Sequence, residues 1–125
     1  MFDKHFEVFL ADTKKSKAIH YAIRYQVYCE EMGFENKDDF PRGMEFDEYD
    51  QHSEHFIVRH KETGDWIAAM RLVISGKNGL PMEKHCILHE PIDHSHFRKS
   101  AELSRLCVLA KVRKSFGSNS LDKNN

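Results

Sequence analysis

Two apolar segments of the chain carry charged residues at positions where a buried strand ordinarily has none. The segment Trp66–Ile74 is apolar on both faces except for Arg71, and residues 101–110 (AELSRLCVLA) include Glu102 and Arg105. A buried charge without a partner costs several kcal/mol. The fold must therefore bring charges of opposite sign to these two strands.

Acidic residues that could pair with these arginines are concentrated in one part of the chain. Residues 30–50 contain nine acidic side chains against two basic ones. Residues 34–51 show no sustained periodicity but contain four aromatic side chains, which favours a folded loop over a disordered one. Between residues 98 and 114 the balance reverses, with six basic side chains against Glu102.

We expect the scattered charges to converge into one cluster of three arginines and three carboxylates. Its members would be Arg24, Arg71, Arg105, Asp47, Asp50 and Glu102. Such a cluster serves either catalysis or structure alone, and the charge pattern is also compatible with separate solvated faces. The sequence leaves these alternatives open.

The remaining pattern predicts an α/β domain. Apolar spacing indicates a helix over residues 16–32, which Asp12 or Thr13 caps and Gly33 ends. The predicted strands are Phe6–Leu10, a hairpin of 55–60 with Trp66–Ile74, and a last strand at 101–110.

Composition indicates a single domain over residues 1–114 and a disordered polar tail at 115–125. Hydrophobic residues make up 40% of the chain, too many for a disordered protein, and charged residues 31%, too many for a membrane protein. No apolar stretch approaches the ~20 residues of a membrane span. The absence of a leader-like start, and cysteines without metal-finger spacing, favour a cytoplasmic location.

Five pieces of the sequence resemble one branch of the GNAT acyltransferases. In order along the chain they are RYQVYCEEMGF (24–34), GMEFDEYD (43–50), HF (55–56), MRL (70–72) and ELSRL (102–106). Together they resemble the autoinducer (acyl-homoserine-lactone) synthases, and more closely the exosortase-associated acyltransferases and the N-acyl amino acid synthases.

The resemblance implies a GNAT-like fold, a mostly antiparallel twisted sheet flanked by helices, of which this chain has a C-terminally shortened version. It implies an acyl thioester donor on acyl carrier protein or coenzyme A, a small amine acceptor, no tightly bound cofactor and no metal. Arg24, Tyr28 and Phe34 would line the acceptor side, with Ser104 beside the thioester. The implied charged group is Asp47, Asp50, Arg71, Glu102 and Arg105.

Amine acylation requires a base, groups that orient the acceptor and a donor for the oxyanion, and this chain offers candidates for each. An ammonium must lose its proton before the amine attacks a thioester, so we expect Glu102 to act as the base, directly or through a water. Asp47 and Asp50 would orient the acceptor. A backbone N–H of the strand near Leu106 and Val108 would stabilise the oxyanion. The basic residues 98–114 suit an acidic carrier protein or a phosphate.

Departures from the family pattern keep two alternatives open. Phe34 stands where autoinducer synthases have a Trp for S-adenosylmethionine, which favours an amino-acid-like acceptor over lactone synthesis. The GNAT pyrophosphate loop has the pattern Arg/Gln-x-x-Gly-x-Gly/Ala. This chain does not match it in register, because three residues rather than two separate Arg113 from Gly117. The family also extends beyond this chain's length. A shortened relative that only binds an acyl carrier or a partner protein is therefore the second hypothesis.

Two further hypotheses are weaker. Five potential metal ligands occur within twelve residues, namely His85, Cys86, His89, His94 and His96. Their spacing matches no motif that presets a tetrahedral site, so we expect a His-rich surface loop rather than a metal site. The basic C-terminal strip has few aromatic residues near it, so we expect no nucleic-acid binding.

Overall fold

The computed structural model of the protein describes residues 5–74, 80–81 and 101–113. Four strands form one antiparallel sheet in chain order: β1 (Phe6–Leu10), β2 (Ser53–His60), β3 (Trp66–Ile74) and β4 (Ala101–Val108). Helix α1 (Lys14–Tyr25) connects β1 to the segment that leads into β2. None of the helices in this part of the chain is long and apolar enough to cross a membrane.

The expected α/β fold with a mostly antiparallel sheet flanked by helical elements is confirmed. The predicted domain boundary at residue 114, the tail and the histidine-rich segment all lie outside the described residues. The segment 34–51 is folded, as its aromatic residues predict. It contains two 3₁₀ turns, Lys37–Asp39 and Glu48–His52.

Helix α1 begins with a capping box. The hydroxyl of Thr13 accepts a hydrogen bond from the backbone N–H of Ser16 at 3.1 Å, and the Ser16 hydroxyl accepts one from the Thr13 N–H at 2.9 Å. Each bond satisfies a backbone donor that a helix N-terminus leaves free. The sequence prediction of a cap at residue 12 or 13 is therefore confirmed, with Thr13 as the capping residue.

The prediction of a continuous α-helix to residue 32 is wrong in one respect. The α-helix ends at Tyr25, and Gln26–Glu31 form a π-helical segment in which the Met32 N–H donates to the Val27 carbonyl at 2.9 Å. A π turn holds one more residue than an α turn, and the apolar spacing that predicts a helix does not distinguish the two. Gly33, at φ +67°, then ends the helix.

The core lies between α1 and one face of the sheet. Ile23 of α1 and Val27 of the π segment pack against Ile57, Ala69 and Cys107 from three neighbouring strands. Ile57 and Ala69 are 1% and 0% exposed. Burial of an isoleucine-sized side chain stabilises a fold by about 1.5–3 kcal/mol, so this layer fixes the helix across β2, β3 and β4.

A β-bulge interrupts the pairing of β3 with β4. Ala69 pairs with Cys107 and Arg71 with Ser104, so two residues of β4, Arg105 and Leu106, lie opposite one residue of β3. Arg105 has φ +52°, a left-handed conformation that a non-glycine residue adopts at an energetic cost. The extra residue changes the inward–outward alternation of the strand.

The capping box generates a prediction for the stability of the domain. Thr13→Ala should lower the free energy of unfolding by about 1 kcal/mol, because the Ser16 N–H loses its acceptor. Thr13→Ser keeps a hydroxyl at the same position and should stay close to the wild type. Urea denaturation followed by circular dichroism measures both. Equal stability of the alanine variant and the wild type would contradict the role given to the cap.

Candidate active site

Arg71 enters the interior from the centre of β3. Its side chain is 1% exposed, and its Nη1 donates to Asp47 Oδ1 at 2.5 Å and to Asp50 Oδ1 at 3.3 Å. Its Nε donates to the Ser104 hydroxyl on β4 at 3.0 Å. The acidic segment thus supplies the partners that an arginine in an apolar strand requires.

Arg24 reaches the same carboxylates from helix α1. Its guanidinium is fully buried and donates from Nη1 to Asp50 Oδ1 at 2.6 Å. It also forms a two-pronged contact with Glu45, from Nη2 at 2.7 Å and from Nε at 3.4 Å. Paired, planar contacts of this kind fix geometry as well as charge.

The carboxylates Asp47 and Asp50 are placed by their own backbone. Asp47 caps the 3₁₀ turn Glu48–His52, because its Oδ1 accepts from the Tyr49 N–H at 2.9 Å. Asp50 Oδ2 accepts from the Asp47 N–H at 2.7 Å and completes a capping box. The three-residue spacing of these two aspartates therefore has a local cause, and each keeps an oxygen for the arginines.

Arg105 of β4 is the third arginine that contacts these carboxylates. Its Nε lies 3.0 Å from Glu45 Oε1 and its Nη2 lies 3.4 Å from Asp47 Oδ2. The left-handed backbone at the bulge turns this side chain toward the acidic segment, and the guanidinium stacks over the Tyr28 ring at 5.1 Å. We call the six residues Arg24, Glu45, Asp47, Asp50, Arg71 and Arg105 the charge cluster; its formal charge is zero.

Among the described residues, Arg105 and Asp47 form the most exposed edge of the charge cluster. The side chains of Arg105 and Asp47 are 27% and 26% exposed, whereas those of Arg24, Arg71 and Glu45 are at most 1% exposed. The exposed edge lies beside Tyr28 and the β4 bulge. A ligand could therefore meet the cluster at Arg105 and Asp47 without opening the core.

Two buried histidines add hydrogen bonds to the cluster. His55 Nε2 lies 2.9 Å from Asp50 Oδ1, and because a carboxylate only accepts, this nitrogen carries the proton. His20 Nδ1 donates to the Phe56 carbonyl at 3.1 Å, and its Nε2 accepts from Arg24 Nη1 at 3.4 Å. Only the neutral ring makes both hydrogen bonds at once, because a protonated Nε2 cannot accept from Arg24.

Burial and these contacts set the ionisation of the site. Burial lowers the pKa of His20 to about 3, and the nearby Arg24 charge acts in the same direction. Burial alone would raise the pKa of Asp50, but hydrogen bonds from His55 and Arg24 hold it well below its ordinary value. Burial would lower the pKa of Arg24, and its contacts with Asp50 and Glu45 outweigh that effect and raise it.

The described residues include one group with the spacing of a metal site. Ligand atoms of His20, Asp50 and His55 lie within 4.8 Å of one another. Arg24 and Arg71 already donate to the Asp50 oxygen that a metal would need, and Arg24 also donates to His20. A divalent cation here would face two buried guanidiniums, so the residues do not fit a metal.

The structure places the other predicted site residues around the bulge. Tyr28 donates from its hydroxyl to the Leu106 carbonyl at 3.5 Å, and its ring lies 6.4 Å from that of Phe34. Phe34 and Leu106 are 71% and 63% exposed. Val108 pairs with Ala68 at the end of β4.

Glu102 lies on β4 opposite Val73, two pairs beyond Ser104 and so on the same face of the sheet. It is half-buried. The partners of Arg24 include Glu45, which the sequence interpretation did not assign to the cluster. Glu45 could have been found from its place in the E-x-D-x-Y-D string that also contains Asp47 and Asp50.

His20 and His55 also went unassigned. The sequence carries a signal for His20, because it precedes Arg24 by four residues and so lies on the same helix face. His55 gives only a weak signal, since alternation in β2 places it on the face of the buried Ile57.

Comparison with known proteins gives one finding. The family model for the acetyltransferase (GNAT) domain matches residues 23–121, a range that contains all six residues of the charge cluster. No curated protein and no solved structure matches the chain. The match supports the resemblance at the level of the GNAT superfamily.

Removing one partner from the buried charge cluster should lower the stability of the domain strongly. We expect Arg24→Met to lower the free energy of unfolding by about 3–5 kcal/mol, because it leaves buried carboxylates unpaired. The double variant Arg24→Met/Glu45→Gln should recover part of this loss. A matched control is Lys111→Met, which removes an exposed ion pair with Asp65 and should cost below about 1 kcal/mol. Urea denaturation measures the stability of each variant. An equal loss in Arg24→Met and Lys111→Met would contradict the role given to the buried arginine.

The buried neutral His20 predicts a pH dependence of stability. Below pH 6.5 the unfolded chain protonates this histidine, and the folded protein does not until about pH 3. Stability should therefore be complete above pH 6.5 and fall as the pH drops through that window, by about 2 kcal/mol between pH 7 and pH 5. His20→Gln should reduce this fall, as measured by denaturation at both pH values. An unchanged difference in the variant would show that His20 is not responsible.

Proposed function

The chain belongs to the GNAT acetyltransferase family, and on that premise we propose that it is an N-acyltransferase that moves a fatty acyl group to the amine of a small amino-acid-like acceptor. The acyl group would arrive as a thioester on acyl carrier protein or coenzyme A. The proposal is supported above all by the partly exposed edge of the charge cluster beside the β4 bulge.

That edge presents both signs of charge to an acceptor. Asp47 can attract the ammonium of an amino acid, and Arg105 can attract its carboxylate. The two charges are held at a fixed spacing, with Arg105 Nη2 3.4 Å from Asp47 Oδ2. Tyr28 and the exposed Phe34 form an apolar wall next to them. A zwitterionic acceptor with an apolar side chain fits this arrangement.

The buried members of the cluster act as positioning residues. Arg71 holds Asp47 and Ser104 at once, and Arg24 holds Glu45 behind Arg105. Because these contacts already exist before a ligand binds, little reorganisation is needed when the acceptor arrives. The cost of burying the charges is met within the cluster, since its charges sum to zero.

We assign the proton transfer to Glu102. It would take a proton from the acceptor ammonium, directly or through a water, and the freed amine would attack the thioester carbonyl carbon. A backbone N–H of β4 near Leu106 or Val108 would stabilise the oxyanion. The C–S bond then breaks, the amide forms, and the thiolate leaves and takes up a proton.

Direct attack by the acceptor is favoured over a covalent enzyme intermediate. Burial raises the pKa of the Cys107 thiol to about 11, and Cys107 packs in the core against Ala69. Burial also raises the pKa of Cys29. A thiol in this state is a poor nucleophile at neutral pH.

Mass spectrometry tests the proposal directly. The protein is incubated with long-chain acyl-coenzyme A or acyl carrier protein and a pool of amino acids, and N-acyl products are sought. Glu102→Gln should lower the turnover number by about 100-fold or more without changing the free energy of unfolding. Glu62→Gln, an exposed glutamate in the β2–β3 turn, should keep wild-type turnover.

Three other results of this experiment would each change a different part of the proposal. Full activity of Glu102→Gln would remove this residue from the mechanism and leave the transfer intact. Thioester binding by the folded wild type without any product would favour a relative that only binds an acyl carrier. Formation of a lactone from S-adenosylmethionine would replace the amino-acid acceptor by that of an autoinducer synthase.

A further inference from the structure

Two adjoining cavities lie against helix α1, on the side where the acidic segment meets the helix. The first is about 320 Å³ and its walls are almost wholly apolar; it is lined by Lys14, Lys17, Ala18, Tyr21, Met44 and Phe46. The second is about 330 Å³ and more polar, and it is lined by Lys17, Tyr21, Phe46, Asp47, Asp50, Gln51 and Ser53. Lys17, Tyr21 and Phe46 belong to both.

The apolar cavity has aromatic walls that the core does not use. Phe46 is 57% exposed, and its ring lies 6.2 Å from that of Tyr21 and 5.8 Å from that of Phe40. Tyr21 is held in turn, because its carbonyl accepts from the Glu45 N–H at 3.1 Å. An exposed aromatic ring at a preformed apolar cavity is typical of a ligand site.

The lysines that line this cavity form no ion pair within the described part of the chain. This holds for Lys14 and Lys17, and also for the neighbouring Lys15 outside the lining, and the first turn of α1 contains no acidic side chain. Positive charge at a helix N-terminus opposes the helix dipole. An anionic group bound here would be stabilised by the lysines, and an alkyl chain attached to it would be stabilised by the apolar walls.

From these observations we propose that the apolar cavity binds an amphiphilic monoanion, an alkyl carboxylate with a single chain. The chain lies against Ala18, Met44 and Phe46, and the carboxylate lies at Lys14 and Lys17. Asp47 in the adjoining cavity repels the carboxylate and so fixes the orientation. The volume suits one alkyl chain. This site does not depend on the proposed acyl transfer.

Decanoate, below its micellar concentration, is the probe. In a nuclear magnetic resonance titration we expect one saturable site with shifts at the methyl groups of Ala18 and Met44. Decyltrimethylammonium, which has the same chain and the opposite charge, should not saturate this site. Equal binding of the two surfactants would overturn the proposal, because the lysines would then play no part.

Two lysines of the same helical turn provide a matched comparison. Lys17→Glu should weaken decanoate binding by about five- to tenfold, because Lys17 lines the cavity. Lys15→Glu makes the same change in net charge outside the cavity lining and should bind decanoate like the wild type. Equal weakening in both variants would contradict a defined carboxylate position.

Filling the cavity tests the position of the chain. Ala18→Phe should abolish decanoate binding, and Met44→Lys serves as a second variant that places a charge among the apolar walls. Urea denaturation of each confirms that the domain is folded. Retained binding in both folded variants would overturn the site. Binding to anionic phospholipid vesicles without binding of monomeric decanoate would overturn it in favour of a membrane-surface contact.

Discussion

The carboxylate of Asp50 joins the elements of the domain. One of its oxygens, Oδ1, receives hydrogen bonds from Arg24 on α1, His55 on β2 and Arg71 on β3, and the other receives the backbone N–H of Asp47. Helix, sheet and acidic segment therefore meet at a single side chain. Without it, two buried guanidiniums would lose a counter-charge, and the segment would lose its local capping box.

The sequence predicted that the buried arginines need carboxylate partners from the acidic segment, but it did not predict every pairing. An arginine inside an apolar strand required a carboxylate, and the acidic segment was the available source. The E-x-D-x-Y-D string marks Glu45 as a candidate, but its pairing with Arg24 could not be predicted, because that pairing depends on how residues 40–46 fold back onto α1. The π turn and the β4 bulge were also missed. Residue spacing constrains each element locally, whereas these irregularities depend on contacts between elements.

The bulge shows how a local irregularity creates a candidate site. Without an extra residue in β4, strict alternation could not place both Ser104 and Cys107 on the helix side of the sheet. Arg105 occupies the extra position at a cost in backbone energy, and contacts with Glu45 and Asp47 compensate for it. The GNAT family membership gives the reaction class, and this edge of the charge cluster gives the place where we propose that it occurs.

A carbon-13 titration of the aspartate side chains tests most directly whether the charge cluster is ionised and buried in solution. The predicted result is an Asp50 carboxyl carbon that keeps the chemical shift of a carboxylate as the pH falls below about 3.9, the ordinary pKa of an aspartate. Protonation of Asp50 at or above about pH 3.9, in protein that is still folded, would show that the arginines do not hold its charge and would contradict this picture of the site.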